Sequence, residues 1–117
     1  MKNYRELKIW QRSHALTLLI YKVTKSFPRD EVFALTNQIR RSCVSIPANI
    51  AEGCGREGDA ALKRFLTIAL GSACELDYYV LLACKLGYLE DSSGRPLAAE
   101  ILEIRCMLGS IIQKLRA

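Results

Sequence analysis

The sequence has few of the residues that catalytic and metal sites commonly use. His14 is the single histidine among 117 residues, and the residue three places before it is Gln11 rather than the glutamate of a Glu-x-x-His iron site. The chain contains no G-x-x-x-x-G-K-[ST] phosphate loop and no C-x-x-C pair. We therefore expect no enzyme activity, no metal or other cofactor, and no small-molecule substrate.

Long apolar segments are also missing. The first residues, MKNYRELKIWQRSH, are charged and lack the apolar stretch of a secretory signal. No uninterrupted apolar run approaches the roughly 18 residues that span a bilayer. We expect a cytoplasmic protein without a membrane partner. An odd number of cysteines in such a protein predicts reduced, mostly buried thiols. They are Cys43, Cys54, Cys74, Cys84 and Cys106.

Apolar residues recur every three or four positions in four segments, which predicts four α-helices. The first helix is expected over residues 4–26 and the second over 31–52. The third begins with Asp59 as its N-cap and ends near Gly87, and the fourth follows the turn-rich segment 90–94. The first helix has its apolar positions at Ile9, Leu16, Leu19, Val23 and Phe27, and Arg12 is the only polar break in this pattern. The apolar positions of the other three helices are, in order, Val32, Leu35, Ile39, Cys43, Ile46 and Ile50; Leu62, Leu66, Ala69, Ala73, Leu76, Val80 and Ala83; Leu97, Ile101, Ile104, Leu108, Ile111 and Leu115.

Short connections between the helices predict antiparallel neighbours, and the length predicts one domain. We therefore expect an all-α fold, an up-down-up-down four-helix bundle over residues 1–117. Pro47 interrupts the second helix, but the apolar pattern continues across it, and Ile46 would be a poor N-cap for a new helix. One helix kinked at Pro47 is favoured over two pieces. Gly53 and Gly55 are expected to end that helix.

Positive charge is concentrated in the first half of the chain. Residues 1–64 contain 12 Lys/Arg and 6 Asp/Glu, whereas residues 65–117 contain 5 and 6. A basic half favours an anionic partner such as nucleic acid, although a solvated basic surface has the same composition. The candidates for phosphate contacts are Arg40, Arg41, Arg56, Lys63 and Arg64. Further basic residues near the N-terminus are Lys2, Arg5, Lys8 and Arg12.

Aromatic residues near the N-terminus have two interpretations. Tyr4 and Trp10 offer stacking surface for bases, but core packing is favoured for Trp10. The chain also has more apolar residues than four core stripes need, among them Leu18, Leu81 and Leu82. This excess favours self-association, and a wide core stripe with scattered exposed leucines is the alternative.

Four stretches together carry a resemblance to a known family. They are LKIWQRSHAL (residues 7–16), FPRDEVFALTNQIRRSCVSIPANIAEG (27–53), RFLTIALGSACELDYYV (64–80) and LGYL (86–89). The chain resembles the four-helix-bundle proteins encoded in intervening sequences of bacterial 23S ribosomal RNA genes, some of which are labelled ribosomal. It is distantly similar to the accessory protein of diversity-generating retroelements, a pentameric bundle that binds nucleic acid.

The resemblance implies a ring-like homopentamer. The residues matching the family motif are Ser45, Pro47, Asn49, Glu52 and Gly53, and a role in folding or assembly fits them as well as a role in binding. The leading hypothesis is a non-catalytic oligomer that binds RNA or DNA through a basic face. The alternative is a protein-interaction scaffold or accessory subunit that does not contact nucleic acid.

Overall fold

A computed structural model of the protein describes residues 3–115 and, within them, contains four α-helices and no strand. The helices are α1 (Lys8–Thr24), α2 (Leu35–Gly55), α3 (Gly58–Lys85) and α4 (Asp91–Lys114). Short 3₁₀ turns at Tyr4–Glu6 and Arg29–Glu31 precede α1 and α2. The prediction of an all-α four-helix bundle is confirmed.

Contacts between neighbouring helices run in reverse order along the chain. Arg40 of α2 bonds to Thr24 at the end of α1, and Cys43, farther along α2, bonds to Thr17, farther back on α1. The α2–α3 and α3–α4 pairs show the same reversal, and α4 packs back against α1. These contacts support the antiparallel order that the short connections predict.

The core follows the predicted apolar stripes, with one shift in α1 and one wrong position before α2: Val32 is 47% exposed because it precedes Leu35, where α2 begins. Every predicted position of α3 is buried, and so are Leu97, Ile101, Ile104 and Leu108 of α4. On α1, however, Leu19 is 44% exposed, while Ser13, Ile20 and Thr24 are buried. The prediction is wrong there because hydroxyl side chains face the core. Thr24 donates its hydroxyl hydrogen to the carbonyl of Ile20, at 2.7 Å, which satisfies a polar group inside the bundle.

The boundaries of α2 differ from the predicted ones at both ends. It begins at Leu35 because Arg29–Glu31 form a separate 3₁₀ turn, and the Glu31 carboxylate accepts a hydrogen bond from the amide of Leu35. It continues through Gly53 to Gly55, neither of which has a positive φ. The turn into α3 instead uses Gly58, whose φ of 83° suits a residue without Cβ.

The start of α3 and the start of α4 differ from the predicted boundaries, whereas the end of α3 agrees with the prediction. Asp59 lies in the first turn of α3 and is not its N-cap, which is Glu57. The predicted turn at residues 91–94 is the first turn of α4. Gly87, with φ 79°, follows the end of α3 as predicted, and the amide of Tyr88 bonds back to the carbonyl of Ala83 in a Schellman cap.

By length and composition alone, α3 could cross a membrane. It has 28 residues and an 18-residue window of mean hydropathy 1.4, of which 39% is buried inside the bundle. The core helices of soluble proteins also reach this length and hydropathy. The expectation about apolar length therefore holds only for uninterrupted runs. The buried and exposed apolar residues of α3 together show that this helix is apolar on more than one face.

Candidate nucleic-acid interface

Arg40 is bound to α1 and does not reach freely into solvent. Its Nε donates to Thr24 Oγ1 at 2.9 Å, and an Nη donates to the carbonyl of Tyr21 at 3.4 Å. The guanidinium carbon lies 4.7 Å from the centre of the Tyr21 ring. A cation at this place also interacts favourably with the negative end of α1. These contacts give Arg40 a structural role in joining α2 to α1, whereas its neighbour Arg41 is exposed.

Arg41 is exposed and borders a polar groove between α2 and α3. The groove is lined by Gln38, Ser45, Ser72 and Glu75 as well. Within the described residues Arg41 forms no ion pair. The carboxylate of Glu75 on the facing wall reduces the positive potential there. Arg41 is therefore available to a phosphate, in a setting of mixed charge.

Arg56, Lys63 and Arg64, which we call the turn cluster, lie around the connection between α2 and α3. Arg56 and Arg64 place their guanidinium carbons 5.3 and 5.0 Å from the centre of the Phe65 ring. Arg56 is also paired with Glu52, at 2.8 Å. The turn cluster therefore offers two cations, Lys63 and Arg64, that have no carboxylate partner among residues 3–115.

The five predicted cationic residues do not form one surface. Arg41 and Arg56 are 15 positions apart, which is roughly 20 Å along a helix that rises about 1.5 Å per residue. Arg40 joins α1, Arg41 lies on the α2–α3 groove, and the turn cluster lies at the end of α2. The five residues therefore lie in separate parts of the surface and not on one basic face, because sequence proximity across a turn does not set the direction of each side chain.

The family-motif residues Ser45 and Asn49 belong to a hydrogen-bond network between α2 and α3. The hydroxyls of Ser45 and Ser72 are 2.7 Å apart. The Asn49 amide donates to both the carbonyl and the hydroxyl of Ser45, at 2.7 and 2.9 Å. The Ser45–Ser72 bond joins the two helices, and the Asn49 bonds hold Ser45 from within α2. Ser72 is buried and the other two residues are half-buried, which supports the folding role left open by the sequence.

Pro47, Gly53 and Glu52 complete the motif with three different roles. Pro47 is buried within α2, which continues through it as one helix; the predicted kink stays a prediction. A Cβ at Gly53 would lie 3.0 Å from Phe65 Cβ and 3.1 Å from Leu62 Cδ1, so this glycine permits close helix packing. Glu52 lies on the surface and binds Arg56.

Near the N-terminus, Arg12, one of the basic residues noted in the sequence, is bound within the bundle. Arg12 holds Glu100 of α4 through two hydrogen bonds of 2.6 and 2.9 Å. The hydrogen bond to Glu100 and the nearby carboxylate charges raise the pKa of Arg12, against some desolvation. Lys2 lies outside the described residues. Trp10 is half-buried and stacks on His14, with ring centres 4.7 Å apart, so Trp10 packs on the bundle as favoured.

The cysteines are less buried than predicted. Cys43 and Cys54 are buried, Cys84 is half-buried, and Cys74 and Cys106 are exposed on the outer sides of α3 and α4. Burial raises the pKa of the Cys43 thiol to about 11. Residues 3–115 contain no group of three or more His, Cys, Asp or Glu side chains arranged to hold a metal ion.

Sequence reasoning missed a second group of basic residues, in the connection between α1 and α2. Lys25 and Arg29 flank the Phe27-Pro28 break and line a pocket that also includes Arg40. The signal was present in the sequence as basic residues on both sides of a helix break. Their meeting with Arg40 depends on how α1 and α2 pack, which periodicity alone does not show.

Comparisons with known proteins agree with the fold. A profile of the family described as 23S rRNA-intervening sequence protein matches residues 5–110. Among solved structures, the chain is similar to a protein of unknown function from the S23 ribosomal protein family of Bacteroides thetaiotaomicron VPI-5482. The two share 28% identity with a TM-score of 0.82, over 91% of this chain and 99% of that one. No curated protein matched.

The profile match covers most of the chain and includes the whole of α2, where the motif residues lie. The structural similarity extends over the same bundle. This protein belongs to the family of 23S rRNA-intervening sequence proteins.

Proposed function

We propose that this protein is a non-catalytic bundle that binds RNA or other nucleic acid through contacts to phosphate groups. The supporting observation is the state of Arg41, Lys63 and Arg64: none of them forms an ion pair within residues 3–115, and both arginines are exposed. None of the three has to leave a carboxylate when it binds a phosphate, although Arg64 also lies over the ring of Phe65. Such contacts supply affinity that falls with salt and carry little sequence information.

The other two predicted cations contribute less to this proposal. Arg56 would have to leave Glu52, and Arg40 would have to leave Thr24 and the carbonyl of Tyr21. Replacing Arg40 would disturb the packing of α1 on α2 as well as any ligand. Arg41→Glu and Lys63→Glu/Arg64→Glu are therefore the informative changes.

The test is fluorescence anisotropy of the purified protein with a labelled structured RNA and a duplex DNA, at about 50 and 200 mM salt. We expect the double variant to bind at least about tenfold more weakly, since it reverses two charges near the phosphates. Lys85→Glu/Lys114→Glu is the control: it makes the same change in net charge at exposed positions on α3 and α4. Equal loss in both double variants would mean that only net charge matters. No binding of these ligands or of a single-stranded RNA at low salt would refute the proposal.

A second observation favours self-association, with or without nucleic acid. Tyr78 and Leu81 of α3 are 56% and 52% exposed, and Leu102 of α4 is 56% exposed. The contact between Asp77 and Arg105 brings α3 and α4 together at this level. We call Tyr78, Leu81 and Leu102 the outer apolar patch. Its burial between copies would remove apolar surface from water, and the resemblance implies a pentamer. A scaffold that docks another protein is the alternative.

A further inference from the structure

A basic pocket lies at the end of the bundle where α1 ends and α2 begins. It has a volume of about 580 Å³, within the range of ligand sites. Three cationic residues line it, Lys25, Arg29 and Arg40, and no acidic residue does. We call it the α1–α2 pocket. It lies at the opposite end of α2 from the turn cluster.

The wall of the α1–α2 pocket contains an unsatisfied hydroxyl. Thr36 lines the pocket and is only 4% exposed, and its Oγ1 has no hydrogen-bond partner. A buried hydroxyl without a partner costs free energy, and native proteins rarely leave one. A hydroxyl can donate to a phosphate oxygen. The Thr36 Oγ1 is itself shielded from solvent, so an anionic ligand in the pocket supplies the acceptor once the Thr36 side chain rotates toward it.

Charged groups around the pocket favour an anion there. The positive end of the α2 dipole lies beside Thr36, the second residue of that helix. The two carboxylates that precede α2 do not line the pocket: both oxygens of Glu31 accept hydrogen bonds, from the Leu35 amide and the Tyr88 hydroxyl, and Asp30 is exposed to water. The carbonyl of Tyr21, at the negative end of α1, is covered by Arg40.

Exposed apolar side chains accompany the positive charge. Val32 lines the pocket and is 47% exposed, and the next residue, Phe33, lies outside the lining and is 92% exposed. An isolated phenylalanine this exposed is without any packing role in the bundle. Aromatic rings beside a positive groove are typical of proteins that stack on unpaired bases. Bases in a duplex are already stacked on each other, so they offer no free face on which the Phe33 ring could stack.

We propose that the α1–α2 pocket holds a phosphate group of single-stranded nucleic acid, with Phe33 stacking on a neighbouring base. Lys25, Arg29 and the Thr36 hydroxyl contact the phosphate, while Arg40 adds charge from its fixed position. This inference rests on the proposed function. It specifies that the nucleic acid is single-stranded and that it binds at a second site, distinct from the turn cluster.

The decisive variant is Thr36→Val, which keeps the shape of the side chain and removes the orphan hydroxyl. Its stability to urea should equal or exceed that of the wild type, because no internal hydrogen bond is lost. Its binding to a labelled single-stranded RNA of about 12 nucleotides should fall by about tenfold, the loss of one hydrogen bond to a charged group. A purely structural role would not separate the two measurements in this way.

Two further variants test the charge and the stacking. Lys25→Ala/Arg29→Ala should weaken binding and lower the salt dependence by about one to two released ions. Phe33→Ala should weaken binding to the single strand by about tenfold and leave duplex binding unchanged. Phe33→Trp is the control that keeps a stacking surface.

The turn-cluster variant separates failure of this inference from failure of the proposed function. If the wild type binds RNA, Lys63→Glu/Arg64→Glu weakens it, and the pocket variants bind normally, the pocket is refuted and the proposed function stands. If the wild type binds neither single-stranded nor duplex nucleic acid at about 50 mM salt, both are refuted. Loss in Thr36→Val at unchanged stability supports both.

Discussion

At the scale of single residues, the side chain of Cys84 occupies the space that a Cβ on Gly94 would need. Gly94 is buried in the first turn of α4, and an added Cβ would collide with the Cys84 Sγ. Alanine is favoured over glycine in a helix by about 1 kcal/mol, but here the collision opposes that gain. The composition of the sequence does not reveal this pairing, because the two residues meet only across the α3–α4 turn.

A double-mutant cycle tests the collision. Gly94→Ala should be less favourable in the wild-type background than in Cys84→Ala, by about 1–2 kcal/mol, because the smaller side chain leaves room for the new methyl group. Urea unfolding of the four proteins measures the coupling. If the effects of the two substitutions on the free energy of unfolding are additive, the Cys84 side chain moves away from the new methyl group without loss of stability.

Tyr88 connects the two loops at one end of the bundle. Its hydroxyl donates to Glu31 at 2.9 Å, and the same carboxylate accepts the first amide of α2. The hydrogen bond to Glu31, followed by burial and the carboxylate charges, raises the pKa of Tyr88 above its ordinary value of 10.0. The protonated phenol is therefore the form that the folded state favours.

This shift predicts a loss of stability in alkali. A raised pKa gives a contribution that is fully present below the ordinary pKa and disappears as pH rises through the folded-state pKa. Wild type should exceed Tyr88→Phe in stability at about pH 8, and the difference should shrink by about pH 11. Unfolding in urea at both values checks this, and a constant difference would show that ionisation of Tyr88 is not coupled to folding.

At the scale of helices, α2 and α3 approach closely at Gly53. A Cβ there would meet Phe65 Cβ, an atom fixed to the backbone, at 3.0 Å. The matched control lies two residues away: a Cβ at Gly55, in the same last turn of α2, would have no neighbour within 4 Å. The same substitution thus has opposite consequences on two sides of one helix.

Gly53→Ala should destabilise the protein by about 1–3 kcal/mol, since the helices must separate. Gly55→Ala should be neutral or stabilise it by up to about 1 kcal/mol through helix propensity. Thermal or urea unfolding compares the two variants directly. Equal effects would mean that α2 and α3 adjust to the methyl group, and that the motif glycine is retained for another reason.

At the scale of the whole molecule, the outer apolar patch predicts association of copies. Leu81→Glu/Leu102→Glu replaces the two leucines of the outer apolar patch with charged residues. This double variant should have a lower molar mass by light scattering after size exclusion, because burying a charge at an apolar interface costs free energy. Leu18→Glu on α1, which replaces a leucine 61% exposed, is the control. Dissociation by the control alone would move the interface to α1, and a monomeric wild type would refute self-association.

The core and the functional candidates differ in how far they could be predicted. Ile101 and Ile104 were found by periodicity because the spacing of a helix alone decides which residues share a face. Arg40 and Arg41 are adjacent in the sequence, yet one bonds to α1 and the other borders the α2–α3 groove. A rotation of about 100° per residue separates them, and only the positions of the neighbouring helices give each direction a partner.

By itself, the sequence determined the four helices, most of their buried faces and the family, since local periodicity and motif identity are properties of the chain. Only the tertiary structure decided which polar groups meet: Arg12 with Glu100, Ser45 with Ser72, and Lys25 with Arg29 and Arg40 in the α1–α2 pocket. The physical reason is that helix formation depends on residues three and four positions apart, whereas hydrogen bonds and charge clusters depend on the packing of distant segments.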